Sequence, residues 1–369
     1  MEAEKLQSQV IAFLRFPLMA GVLLTHINFP YFENGWFFPV HSFLARIIAC
    51  VGVPFFFFIS GFLFFHGGHF DKDVYLRKIC GRTRTLLLPY LLWTTAWLIF
   101  YYAVYQFPFT AQFLQKAEPY TLEYMAGAFW SARLFYPYND GSGATFPLIG
   151  QFWFIRDLMV LVLLSPLIYK ALQKLKVGWV VLTGIVWLFA PLLQGKFEIA
   201  LGWWDIALFF FSFGAWFSVN KQLFTVAFDR LRKAVFWGYP LLVAIELLSM
   251  HHSWKYGFFI HRIGLVVGII FFANLTALFL SRGKIRENPF LSSASFFLFA
   301  FHQPWLTLPL EKWIFRPLFD YLKVAISLDA ASAICFFTEA LLLIGATLGV
   351  FAFLRHFSPS AAKILTGGR

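Results

Sequence analysis

Apolar runs of about 20 residues recur from one end of this chain to the other, and that is the length an α-helix needs to cross ~30 Å of hydrocarbon. Bounded at charges, prolines and turn residues, they give ten segments: 8–29, 43–66, 85–107, 151–170, 177–194, 200–220, 234–250, 260–280, 289–310 and 328–354. Within a bilayer the backbone must satisfy its own hydrogen bonds, so the expectation is an all-α, polytopic membrane bundle of about ten transmembrane helices. Composition agrees, with 60% of the 369 residues hydrophobic and only 13% charged, whereas soluble chains carry about a quarter charged residues. Residues 1–369 read as a single transmembrane domain. The first run contains Arg15 and no small-residue cleavage pattern, so it is kept as a span rather than a signal peptide.

The net charge of +12 raises the question of a nucleic-acid partner. With the N-terminus inside, 19 Lys and Arg fall in inner segments and 8 in outer ones, while Arg15, Arg46 and Arg156 lie within spans. This asymmetry supports an N-in, C-in orientation and explains the basic character without nucleic acid. The longest connection, about 108–150, then lies outside and carries FWSARLFYPYNDGSGATF, rich in aromatics, Gly and Pro. Cys50, Cys80 and Cys335 form no CxxC pair and no metal-ligand spacing, so no metal is expected.

An ionisable group inside a span is costly unless it is paired or faces a wet cavity, which makes each one a functional candidate. Arg15, His26, Arg46, Arg156, Asp157, Asp205, Glu246, His302 and Glu339 are such groups. Eleven residues of helix turn roughly 1100°, so Arg15 and His26 share one face, separated by roughly 16 Å along the axis. His26, Arg156, Asp157, Asp205, Glu246 and His302 concentrate near the outer side, and His26 is a candidate general base because imidazole titrates near neutral pH. Arg156 and Asp157 are adjacent, so they point in different directions and need different partners. Asp157 is placed either to orient a histidine or to neutralise Arg15. On the inner side YLRKICGRTR gathers Arg77, Lys78, Arg82 and Arg84 in one loop before the third span. That cluster suits a phosphorylated ligand, and it equally suits ordinary positive-inside bias. Ser60 and Gly61 in PFFFFISGFLFF permit close helix packing.

These pieces, in this order, resemble the membrane-bound acyltransferase-3 family. Arg15 and His26, with ten residues between them, resemble the family's Arg-x10-His motif in the first helix. VPFFFFISGFLFF, GRTRTLLLPYLLW, QFWFIRDLMVLVLLSPLIY and SSASFFLFAFHQPWL resemble its second helix, its basic loop, its Trp-Phe-x-Arg-Asp-Leu block and its late helix ending in histidine. The resemblance implies an integral membrane O-acyltransferase of the cytoplasmic (inner) membrane, which moves an acyl group, most often acetyl from acetyl-CoA, to a hydroxyl of a carbohydrate or glycolipid acceptor outside. It implies His26 as catalytic histidine, Arg15 as its motif partner, and Arg77, Lys78, Arg82 and Arg84 for acyl-CoA; Asp157 is a further catalytic candidate, and Trp153, Arg156 and His302 are candidates to bind the acceptor. Many members show Arg-x-x-Arg in the loop, where this chain has Arg82-Thr-Arg84. Some carry a fused hydrolase-like domain, and this chain is expected to be the stand-alone form, stopping at RHFSPSAAKILTGGR.

Acyl transfer needs a deprotonated nucleophile and exclusion of water. The expected route docks CoA at the inner arginines, passes its arm by Arg15 and brings the thioester to the acceptor hydroxyl at His26. Trp130, Tyr136 and Tyr138 are candidates to stack on sugar rings. The alternative is a transporter or flippase, since intramembrane charges also mark substrate pathways, although neither inverted repeats nor helices broken at matching places are evident.

Overall fold

The computed structural model describes residues 2–67, 70–105, 122–131, 146–197 and 204–368. Tyr136, Tyr138 and most of the long connection expected at 108–150 lie outside these residues. No strand occurs among the described residues, and every expected apolar segment is occupied by helix. The helices are α1 (Glu2–Leu24), α2 (Phe37–Phe65), α3 (Lys72–Arg82), α4 (Leu88–Tyr105), α5 (Leu122–Gly127), α6 (Gly150–Leu175), α7 (Val177–Phe197), α8 (Trp204–Val219), α9 (Phe224–Asp229), α10 (Arg232–His251), α11 (Gly257–Ser281), α12 (Pro289–Phe301), α13 (Arg316–Ala325), α14 (Leu328–Phe357) and α15 (Pro359–Leu365).

Six of them, α1, α2, α6, α10, α11 and α14, are long and apolar enough to cross a membrane, and α7 and α8 supply shorter apolar helices. The surface fits that solvent: Trp237 on α10 is 84% exposed, Leu341 on α14 72% and Leu167 on α6 64%. Contiguous apolar exposure of this kind is a liability in water and costs nothing against lipid tails. The protein is a multi-pass membrane protein.

α1 sits inside the bundle, packed against α2, α9, α11, α12 and α14. Phenylalanine fills much of the interior, with Phe55, Phe57, Phe58, Phe210, Phe211, Phe224 and Phe297 fully buried. Lipid gives no hydrophobic drive between helices, so contact area and close approach hold them together. At the α2–α8 crossing a Cβ on Gly61 would collide with the carbonyl of Phe211, and one on Gly214 with the carbonyl of Phe58. Gly61 is therefore a helix-packing residue, as its sequence context suggested.

Three boundaries differ from the sequence expectation. The first helix stops at Leu24, after which Thr25, His26 and Ile27 donate to the carbonyls of Val22, Leu23 and Leu24 in tighter three-residue turns. The basic loop is helical: the Asp71 side chain accepts from the Val74 N–H at 2.7 Å, caps α3, and the chain winds on through 83–87 into α4. The ninth segment, expected at 289–310, breaks after Phe301, because Gln303 precedes Pro304 and is forced into extended backbone.

Candidate active site

The break after α12 creates the site. A helix that ends inside a bundle leaves carbonyls without partners. Here His302 Nδ1 donates to the Leu298 carbonyl at 2.7 Å. Gln151, at the start of α6, donates through Nε2 to the carbonyls of Phe299, at 3.2 Å, and of Gln303. Because Nδ1 of His302 carries the hydrogen, Nε2 bears the lone pair, and this buried atom has no partner. The ring facing it is His26, with centroids 5.4 Å apart and planes tilted by 42°.

The two histidines come from helices that run side by side in the same sense. Arg15, midway along α1, lies within electrostatic reach of Glu287, just before α12. Arg15 also lies within electrostatic reach of Arg82, the last residue of α3. Both arginines are half-buried, and neither hydrogen-bonds or ion-pairs with a described residue. Two partly buried arginines with Glu287 as the acid near Arg15 leave an excess of positive charge that an anion stabilises.

The other members of the expected basic cluster divide by helix face. Lys78 donates to the carbonyls of Phe64 and His66, so its charge closes the C-terminus of α2. Burial and the neighbouring Arg82 hold its ammonium below the usual lysine range. Arg77 and Arg84 are exposed. Arg82 alone of the four is thus brought to Arg15.

Asp157 is placed differently from either alternative that sequence left open. It orients no histidine and does not meet Arg15; its Oδ1 accepts from Arg156 Nε at 2.8 Å. The expectation that adjacent residues need different partners is corrected here. The long Arg156 side chain curls back at the start of α6, where it also donates to the Trp130 carbonyl at 2.7 Å and lies 5.2 Å from the Trp130 ring. Trp130 is thereby pinned by a cation under its face, with 53% of its surface still exposed. Trp153 is buried, its ring 6.0 Å from Phe57.

Further intramembrane groups also pair. Asp205 accepts from Arg262 Nη1 at 3.1 Å, and Glu246 bonds His261 Nδ1 at 2.6 Å. Sequence reading placed Arg262 in an outer connection and passed over His261 and Gln151. The signal for the first two was their position, one turn inside an apolar run, in a place where Asp205 and Glu246 needed partners. Gln151 gave no such signal, since its role exists only because α12 breaks beside it. Glu339 is buried on α14 with Oε1 unpartnered.

Two arginines near the middle of α1 and an imidazole pair just beyond its C-terminus are an arrangement suited to holding an anionic donor and deprotonating an acceptor. The acyltransferase-3 family, described as an acyltransferase domain, matches residues 10–355. The succinoglycan biosynthesis protein ExoH of Rhizobium meliloti (strain 1021) is 25% identical over 373 residues, covering 97% of this chain and 92% of the relative. No solved structure matches significantly. With a match that runs over nearly the whole length and includes both Arg15 and His26, the chain belongs to the membrane-bound acyltransferase-3 family.

Proposed function

We propose that this protein is an O-acyltransferase of the inner membrane, oriented N-in and C-in, that acylates a carbohydrate or glycolipid at the outer side. The donor is a cytoplasmic acyl-CoA, with acetyl as the acyl group that the family implies. ExoH, a relative named for succinoglycan biosynthesis, supports a polysaccharide acceptor.

The observation that carries the reading is the division of labour along α1. Arg15 and Arg82 take CoA phosphate at the inner end, and the pantetheine arm runs along α1 to the outer end. There His26 accepts the proton of the acceptor hydroxyl as its oxygen forms the ester bond to the acyl carbon. The carbon–sulfur bond breaks, and the departing thiolate takes the proton from His26. His302 lies beside it, with ring centroids 5.4 Å apart and its Nε2 unpartnered. The transporter alternative has no support of its own, since Arg156, Asp205 and Glu246 are paired within the protein rather than strung along a pathway.

Purified protein in nanodiscs, given radiolabelled acetyl-CoA and deacylated oligosaccharides from the host's surface polysaccharide, tests this. His26→Ala should lower transfer by about 10²–10⁴-fold, the usual range for a general base, and full activity in a folded variant removes His26 from the reaction. Arg82→Gln should weaken acetyl-CoA binding and flatten its dependence on salt.

A further inference from the structure

Beside the histidine pair, between α2, α10 and α11, lies a cavity of about 570 Å³. Thr25 and Asn28, which bracket His26 just after α1, form one wall, while the His26 ring lies against His302. The cavity therefore adjoins the reacting end of α1 without containing its base.

Its lining has a mixed chemistry. Glu246 is 2% exposed and is held by His261 Nδ1 at 2.6 Å. Arg46 of α2 is exposed along the same wall and neither hydrogen-bonds nor ion-pairs with a described residue. Trp254 and Phe258 add aromatic faces, and Ser249 and Ser253 add hydroxyls. A fixed carboxylate accepts from neighbouring hydroxyls, a guanidinium donates to ring and hydroxyl oxygens, and an aromatic face covers the C–H side of a pyranose. A fatty chain would find two charged groups here, and a phosphate would meet Glu246.

We infer that this cavity is a saccharide subsite, in which Glu246, His261 and Arg46 hold one sugar of the acceptor while the chain runs past the end of α1 to offer another sugar's hydroxyl to His26. The inference rests on the proposed acyltransferase reading for the identity of the acceptor. It assigns acceptor choice to α2, α10 and α11, and the chemical step to α1 and α12.

Ser253, exposed at the cavity, provides a reporter that does not depend on catalysis. Ser253→Cys is labelled with a polar maleimide in nanodiscs, in the presence and absence of the deacylated oligosaccharides, with exposed Cys80 as internal control by peptide mass spectrometry. The oligosaccharides should slow labelling at position 253 at least about threefold and leave Cys80 unaffected, and should do so equally when His26→Ala is added. Glu246→Gln and Arg46→Gln should each abolish the protection; should one misfold, the other carries the test. If the oligosaccharides are acylated yet give no protection, the subsite is wrong and the acyltransferase reading stands. Protection without any transfer supports the subsite and overturns the reaction assigned to it. Absence of both overturns both.

Discussion

An imidazole buried next to another imidazole has two uses, holding backbone or moving protons, and His302 does the first visibly. Its Nδ1–H closes the Leu298 carbonyl, and that bond leaves the opposite nitrogen as a free acceptor beside His26. The two uses separate in His302→Gln, whose amide can still donate to the carbonyl but cannot take up a proton. A role in proton movement predicts that kcat falls about 10²-fold with the KM for acetyl-CoA unchanged. A role confined to the carbonyl predicts no change in kcat. Much of this residue scale was legible in sequence as a list of costly groups, and the spacing of Arg15 and His26 set them on one helix face roughly 16 Å apart, although the helix stops at Leu24, before His26. Partnership was not legible. Asp157 met its own neighbour because an arginine side chain is long enough to fold back, and Arg82 is partly buried within electrostatic reach of Arg15 while Arg77 and Arg84 are exposed and Lys78 is held by the end of α2.

At the scale of elements, the α2–α8 crossing and the break after α12 are the two features on which the site depends. α8 approaches α2 until backbone meets backbone at Gly61 and Gly214. Gly214→Leu has no flexible side chain to displace, so it should destabilise the protein by about 3 kcal/mol or more, at or beyond the upper end of usual overpacking costs. Thermal unfolding in detergent measures this, and an unchanged midpoint would mean that the helices are not so close. The start of α12 was foreseeable, from Asn288 capping and Pro289 opening the helix, but its length was overestimated. Hydropathy continues through Trp305 and Leu306 without interruption, whereas the geometry of Gln303 before Pro304 does not allow the helix to continue.

For the whole molecule, orientation sets which end of α1 meets the donor. An N-in arrangement predicts that an impermeant maleimide added to intact cells labels Glu33→Cys, in the exposed turn after α1, and labels exposed Cys80 on α3 only after permeabilisation. The reverse pattern would exchange the donor and acceptor ends. Helical class, the approximate segments and the charge asymmetry were determined by sequence alone, because each is a sum over a local window: twenty apolar residues suffice for a helix in lipid, whatever surrounds it. The His26–His302 pair, the nearness of Arg15 and Arg82, and the cavity behind Thr25 and Asn28 were decided only by tertiary structure. Each joins residues from helices far apart in the chain, and a helix that is apolar on nearly every face carries no stripe to announce which neighbour it will touch.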